Sequence, residues 1–185
     1  MNPELRLDEK TLAHVPKGDR IFVCSNLDLF ADAIPSGWIQ RVLSRLYIAS
    51  EYWGDWDYDR FKLQYMFLTK NPDRYKGFWF EKYMWLGTTW DGLEFTQNNI
   101  KDLFFTAKDN KYFVSFEPLL ADPRGKNISI SAYDWIIIGA DSRRGQPKPP
   151  KEWADYLIGQ ARELNIPVFV KSNYGYPEKI QEYPE

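Results

Sequence analysis

A chain of 185 residues that is 44% hydrophobic and 27% charged has the balance of one ordinary globular domain rather than of a disordered segment. A formal net charge of −2 implies no broad basic surface, so nucleic-acid binding as the main role is not supported by charge. One cysteine, Cys24, and one histidine, His14, exclude an intramolecular disulfide and leave too few thiolates or imidazoles for an iron–sulfur or zinc site made by this chain alone.

Residues 1–20 read as an amino-terminal arm. From there, short apolar runs follow one another, each ending in small or polar residues. They are residues 21–25 (IFVCS), 64–70 (QYMFLTK), 84–89 (MWLGTT), 112–117 (YFVSFE), 134–141 (DWIIIGAD) and 167–172 (PVFVKS). Continuous apolar runs suit strands covered on both faces, as in a parallel sheet. Helical spacing appears between them. Trp38, Ile39, Val42, Leu43 and Leu46 form one stripe over 38–46, and Trp153, Ala154, Leu157, Ile158, Ala161 and Leu164 form another over 151–164. Shorter helices are expected at 71–78, with Asn71 as N-cap and Pro72 at the first helical position, and at 96–107.

Alternating strands and helices predict an α/β domain, a parallel sheet of about six strands with outer helices. Six strands do not close an eight-stranded barrel, so the expectation is an open or partial TIM-type barrel over 21–172, with a carboxyl-terminal tail at 173–185. The loop 141–150 is expected to be the most mobile segment. The stretch 51–59 (EYWGDWDYD) is too aromatic and acidic for a plain linker. With no apolar run of membrane-spanning length and no signal segment, a soluble cytoplasmic protein and no membrane partner are expected.

Ligands of parallel α/β sheets bind beyond the carboxyl ends of the strands. That rule selects Ser25, Asn26 and Asp28 after the first strand, Lys70 after the second and Thr88 in the third. It adds Ser115 and Glu117 in the fourth, Asp141 after the fifth and Lys171 after the sixth. Glu117 lies among apolar neighbours in residues 116–120 and requires a partner, since a buried unpaired charge is costly. Lys70 and Lys171 are the natural ones, with Lys70 able to serve as a bridge. Such a pair either fixes the mouth of the sheet or reads a ligand. Gly139 ends a strand where backbone could approach a ligand closely, but the surrounding residues are not a dinucleotide-binding glycine pattern. The run 143–148 either grips a phosphate or carboxylate or is a solvated loop. One histidine leaves no catalytic triad, and Cys24, inside an apolar run, reads as a small buried hydrophobe.

Six motifs in matching order carry a family resemblance: residues 21–30 (IFVCSNLDLF), 67–74 (FLTKNPDR), 85–89 (WLGTT), 113–120 (FVSFEPLL), 134–141 (DWIIIGAD) and 167–171 (PVFVK). Together they resemble a phage-associated family of unknown function placed near the radical-SAM enzymes. The resemblance implies a radical-SAM-like barrel whose cysteine-rich segment lies upstream of the matching region. In such enzymes three thiolates hold a [4Fe–4S] cluster and S-adenosylmethionine occupies the open iron. This chain is then expected to be a fragment or split half that binds no cluster alone, with an upstream half or a second copy covering the open sheet edge. Two other readings stand beside it. One is a non-catalytic α/β module for a nucleotide-like or small polar ligand. The other is a metal-independent sugar or nucleotide enzyme using Glu117 as acid or base, with Lys171 as its electrostatic partner.

Overall fold

A computed structural model describes residues 5–16, 18–52, 64–105 and 109–184. Six strands, β1 (Arg20–Phe22), β2 (Gln64–Thr69), β3 (Met84–Thr89), β4 (Tyr112–Phe116), β5 (Trp135–Ile138) and β6 (Val168–Val170), lie side by side in sequence order. Every neighbouring pair is parallel, with Tyr65 opposite Met84, Leu86 opposite Tyr112 and Ile136 opposite Val168. Sequential order without reversal is the order of a barrel wall, and the sheet curls into an open half-barrel. The curl brings Phe22 of β1 edge-on to Phe113 of β4, ring centroids 5.9 Å apart. It also places Arg20 of β1 over the ring of Tyr183, beyond β6, at 4.4 Å.

Both faces of the sheet are apolar, as the unbroken hydrophobic runs predict. The convex face contributes Tyr65, Phe67, Leu86, Val114, Phe116, Ile136 and Ile138 to the main core under the helices. The concave face carries a second cluster of Met66, Trp85, Phe113, Trp135 and Ile137, with Leu68 and Phe169 against it. Gly87 makes the tight layer possible: a Cβ there would stand 2.2 Å from the Phe113 ring, which fills that space.

Among the described residues four α-helices accompany the strands: α1 (Glu9–Ala13), α2 (Ser36–Tyr52), α3 (Asn99–Phe105) and α4 (Lys151–Glu163). The α2 stripe Ile39, Val42, Leu43 and Leu46 is buried as expected, and the helix runs on past 46 because Ala49 continues the stripe. Helix α1 lies in the arm and carried no periodic signal. Asp8 caps it by accepting from the backbone N–H of Lys10 and Thr11, and the pairs Glu9–Arg41 (2.6 Å) and Arg45 to the Ala13 carbonyl (2.8 Å) fasten it to α2. The arm thus covers α2.

Three local expectations are corrected. Residues 72–77 form a 3₁₀ helix, and the Asn71 side chain makes no capping bond. Its amide instead donates to the Phe30 carbonyl (3.3 Å) and to Asp32 (2.8 Å), tying the loop after β1 to the loop after β2. The helix expected at 96–107 is a 3₁₀ turn, Glu94–Thr96, followed by α3; residues 106–107 lie outside the described residues. Cys24 is not in a strand. β1 ends at Phe22, and Cys24 stands exposed in the following turn with φ 54°. Most of the stretch 51–59 also falls outside the described residues.

The two sheet edges differ. Along β6 the tail runs antiparallel, with Gln181 opposite Phe169. Val170 donates to the Ile180 carbonyl (2.8 Å), and Glu182 donates to the Val168 carbonyl (2.9 Å). Among the described residues no strand lies along the outer edge of β1. No described helix is long and apolar enough to cross a membrane.

Candidate functional site

A cleft of about 730 Å³ opens over the concave face at the carboxyl ends of the strands. Met66, Leu68, Ile137, Trp135 and Phe169 form its apolar bed, and Tyr183 of the tail completes it. The loop after β1 supplies one wall, with Ser25, Asn26 and Asp28, and Lys70, Thr89, Ser115, Glu117 and Lys171 stand at the rim.

The most constrained group is Glu117, which directly follows β4. Gly139, after β5, leaves the space that its carboxylate occupies: a Cβ on Gly139 would come within 2.8 Å of the Glu117 carboxyl carbon. The gap expected to admit a ligand backbone-close is therefore filled by Glu117 itself. Lys171 lies 2.6 Å from one carboxylate oxygen, and the Asn173 amide donates to the other at 3.3 Å. Asn173 is fixed in turn, donating to the Ala140 carbonyl (2.8 Å) and accepting from the Ala140 N–H (3.3 Å). Its own carbonyl accepts from Lys148. Three strand ends thus converge on one carboxylate.

Lys70 makes a different pair and does not bridge to Glu117. Its ammonium lies 2.7 Å from Asp91, a carboxylate 4% exposed that also accepts from the Thr96 hydroxyl and the Leu93 N–H. Burial alone would raise the Asp91 carboxyl, but the hydrogen bonds from Lys70, Thr96 and Leu93 outweigh it and hold the group below its ordinary value. Asn99, buried behind the pair, donates to the carbonyls of Lys70 and Thr89, both at 3.0 Å.

Seven of the nine candidate residues line the cleft: Ser25, Asn26, Asp28, Lys70, Ser115, Glu117 and Lys171. Asp28 does so as a loop pin, its carboxylate accepting from the Thr69 hydroxyl (3.0 Å) and the N–H groups of Lys70 (2.8 Å) and Phe30 (3.0 Å). Thr88 faces the helices, fully buried, with its hydroxyl donated to the Thr69 carbonyl; the pleat gives the concave position to Thr89. Asp141 is outside the cleft lining, taken by Arg143 at 2.5 Å, whose guanidinium holds that carboxyl below the usual range. The run 143–148 is therefore partly spent on internal contacts through Arg143 and Lys148. Sequence reasoning missed Arg20, Phe22, Trp135, Phe169 and Tyr183 as lining. Period-two alternation back from Gly139 through Ile137 marks Trp135; nothing local marks Tyr183.

The cleft is close to charge-neutral: Arg20, Lys70 and Lys171 stand against Asp28, Glu117 and, behind Lys70, Asp91. Among the described residues no three histidine, cysteine, aspartate or glutamate side chains are grouped to hold a metal. A [4Fe–4S] cluster does not fit the residues of this chain, whose single thiol is Cys24.

The sequence pattern of the family described as "Protein of unknown function (DUF5131)" matches residues 3–182, and the chain belongs to that family. No curated protein and no solved structure matches the chain.

Proposed function

We propose, for this member of that family, that the chain is the ligand-holding part of a radical-SAM-like barrel whose cleft takes a small nucleoside-like or S-adenosylmethionine-like molecule. The observation that carries the reading is the Glu117–Lys171–Asn173 cluster at the mouth of a parallel half-barrel, above an aromatic and aliphatic bed. Binding sites for small molecules are of this kind, mostly apolar with a few fixed polar groups and a volume of about 300–1,000 Å³. Near-neutral charge favours a neutral or zwitterionic ligand over a phosphate. Phe169 and Tyr183, both partly exposed, offer aromatic surface for a flat base over the buried Trp135, and the carboxylate and ammonium offer complementary partners to an amino-acid or hydroxyl group. The resemblance of the six motifs to a phage-associated family near the radical-SAM enzymes supports the same reading. Cluster thiolates would have to come from another polypeptide segment, and an upstream half or a second copy would pair along the outer edge of β1.

A non-catalytic binding module is the second reading, and one observation favours it. Both rim ammoniums are already matched by carboxylates, so no free acid or base faces the cleft from these pairs.

Calorimetric titration of adenosine, S-adenosylmethionine and S-adenosylhomocysteine into the chain and into Glu117→Gln tests the proposal. The expected result is one site, weakened by about 1.5–3 kcal/mol in the variant, the range for hydrogen bonds to charged groups. Equal affinities with a lowered Tm would reduce the cluster to a structural clasp and remove the reading.

A further inference from the structure

A second concavity of about 360 Å³ lies between α3 and the loop 126–133, apart from the cleft at the strand mouth. Unlike the cleft, its charge is one-sided. Lys101 and Lys126 line it and no carboxylate does, in a chain with 26 acidic and 24 basic residues. Among the described residues neither ammonium is held in an ion pair. The nearby acids are engaged elsewhere: Asp91 with Lys70, Asp122 with Arg124 and Asp134 with Lys111. Asp102, next to Lys101 in sequence, feels the charges of Asp73, Lys76 and Lys101, and no ion pair joins it to Lys101 among the described residues. Two exposed cations on one concave surface, neither held in an ion pair among the described residues, attract an anion.

The walls narrow the choice of anion. Phe104 lines the concavity with half of its surface exposed; Phe105 meets it edge-on at 5.6 Å, which leaves a ring face free. Trp90 and Tyr133 form a buried floor, and the Tyr133 hydroxyl is already donated to the Ile100 carbonyl. Asn98, Asn127 and the Ser129 and Ser131 hydroxyls, 3.2 Å apart, supply neutral donors and acceptors at the rim. Two lysines, an exposed aromatic ring and amide edges around one concavity are the complement of a phosphate joined to a flat heterocycle. We propose that this concavity is a nucleoside monophosphate site, with the phosphate between Lys101 and Lys126 and the base against Phe104. It stands independently of the cleft, which is charge-balanced and holds none of these residues.

The test is titration of adenosine monophosphate, inorganic phosphate and adenosine into the full chain, followed by backbone amide NMR shifts. Adenosine monophosphate is expected to move amides of residues 97–104 and 126–133, with phosphate moving the same loop more weakly. The double substitution Lys101→Gln, Lys126→Gln should weaken adenosine monophosphate about tenfold or more, the scale of a lost charged hydrogen bond. Phe104→Ala should weaken adenosine monophosphate and leave phosphate unchanged. All three substituted positions are exposed, where the fold tolerates change. Undiminished binding by the double variant, shifts confined to the strand mouth, or no shifts at millimolar ligand would each overturn the proposal.

Discussion

Gly139 and Glu117 work as one unit, since the missing side chain of the first is the seat of the second. Gly139→Ala should therefore act like a substitution of Glu117. The added methyl forces the carboxylate away from Lys171 and Asn173, at a cost of about 1–3 kcal/mol by overpacking. Thermal melting and calorimetry should show a lower Tm together with weaker nucleoside binding; an unchanged Tm would mean that the carboxylate has another place to rest. Asp91 behaves differently, because its carboxyl is held below its ordinary value in the folded chain. A depressed carboxyl stabilises the fold above the unfolded pKa and loses that contribution as pH falls through the folded one. Asp91→Asn should lower stability by about 1–2 kcal/mol near neutral pH. The gap from the unsubstituted chain should narrow as pH is taken below about 4. A gap constant from pH 7 to 3, read by melting curves, would show that the charge is immaterial.

At the level of elements, the carboxyl-terminal tail is the part whose role is least visible locally. It lies along β6 through Ile180, Gln181 and Glu182, clasped by Arg162 at 2.6 Å. Tyr183 then packs against Phe169 and Trp135, at 5.4 and 5.6 Å. The tail shields the edge that an open sheet otherwise presents to other chains. Truncation after residue 178 should speed hydrogen exchange at the amides of Val168 and Val170, which donate to Glu182 and to the Ile180 carbonyl. Continued protection of both amides would show that the tail is dispensable. Helix α2 gives the contrasting case. Its buried stripe was readable because 3.6-residue spacing records burial directly, whereas the Asn71 cap failed because a tertiary contact between two loops captured the amide.

For the molecule as a whole, the curled sheet sets what the chain can do alone. Anaerobic reconstitution of the isolated chain with iron and sulfide should yield no stoichiometric cluster, since one thiol cannot replace the three thiolates such a site needs. Stoichiometric iron and sulfide with a charge-transfer absorbance band would contradict this. Closure of the concave face depends on residues far apart in the chain: Arg20 reaches Tyr183 and Phe22 reaches Phe113 across the hollow.

The sequence by itself determined the order and approximate places of the six strands, the parallel α/β class and the rim on which Lys70, Glu117 and Lys171 stand, because unbroken apolar runs and helical periodicity are local records of burial. The pairing of Glu117 with Lys171 was legible as a need, since a carboxylate among apolar residues requires a cation. Which cation answers it was not, because Lys70 and Lys171 satisfy that need equally until the register of β2, β3 and β6 is known. Tertiary structure alone decided that Lys70 turns to Asp91, that Thr88 faces the helices and that Tyr183 floors the cleft. Each of these depends on which strand lies beside which and on how far the sheet curls, and those relations are set by packing between residues distant in the chain.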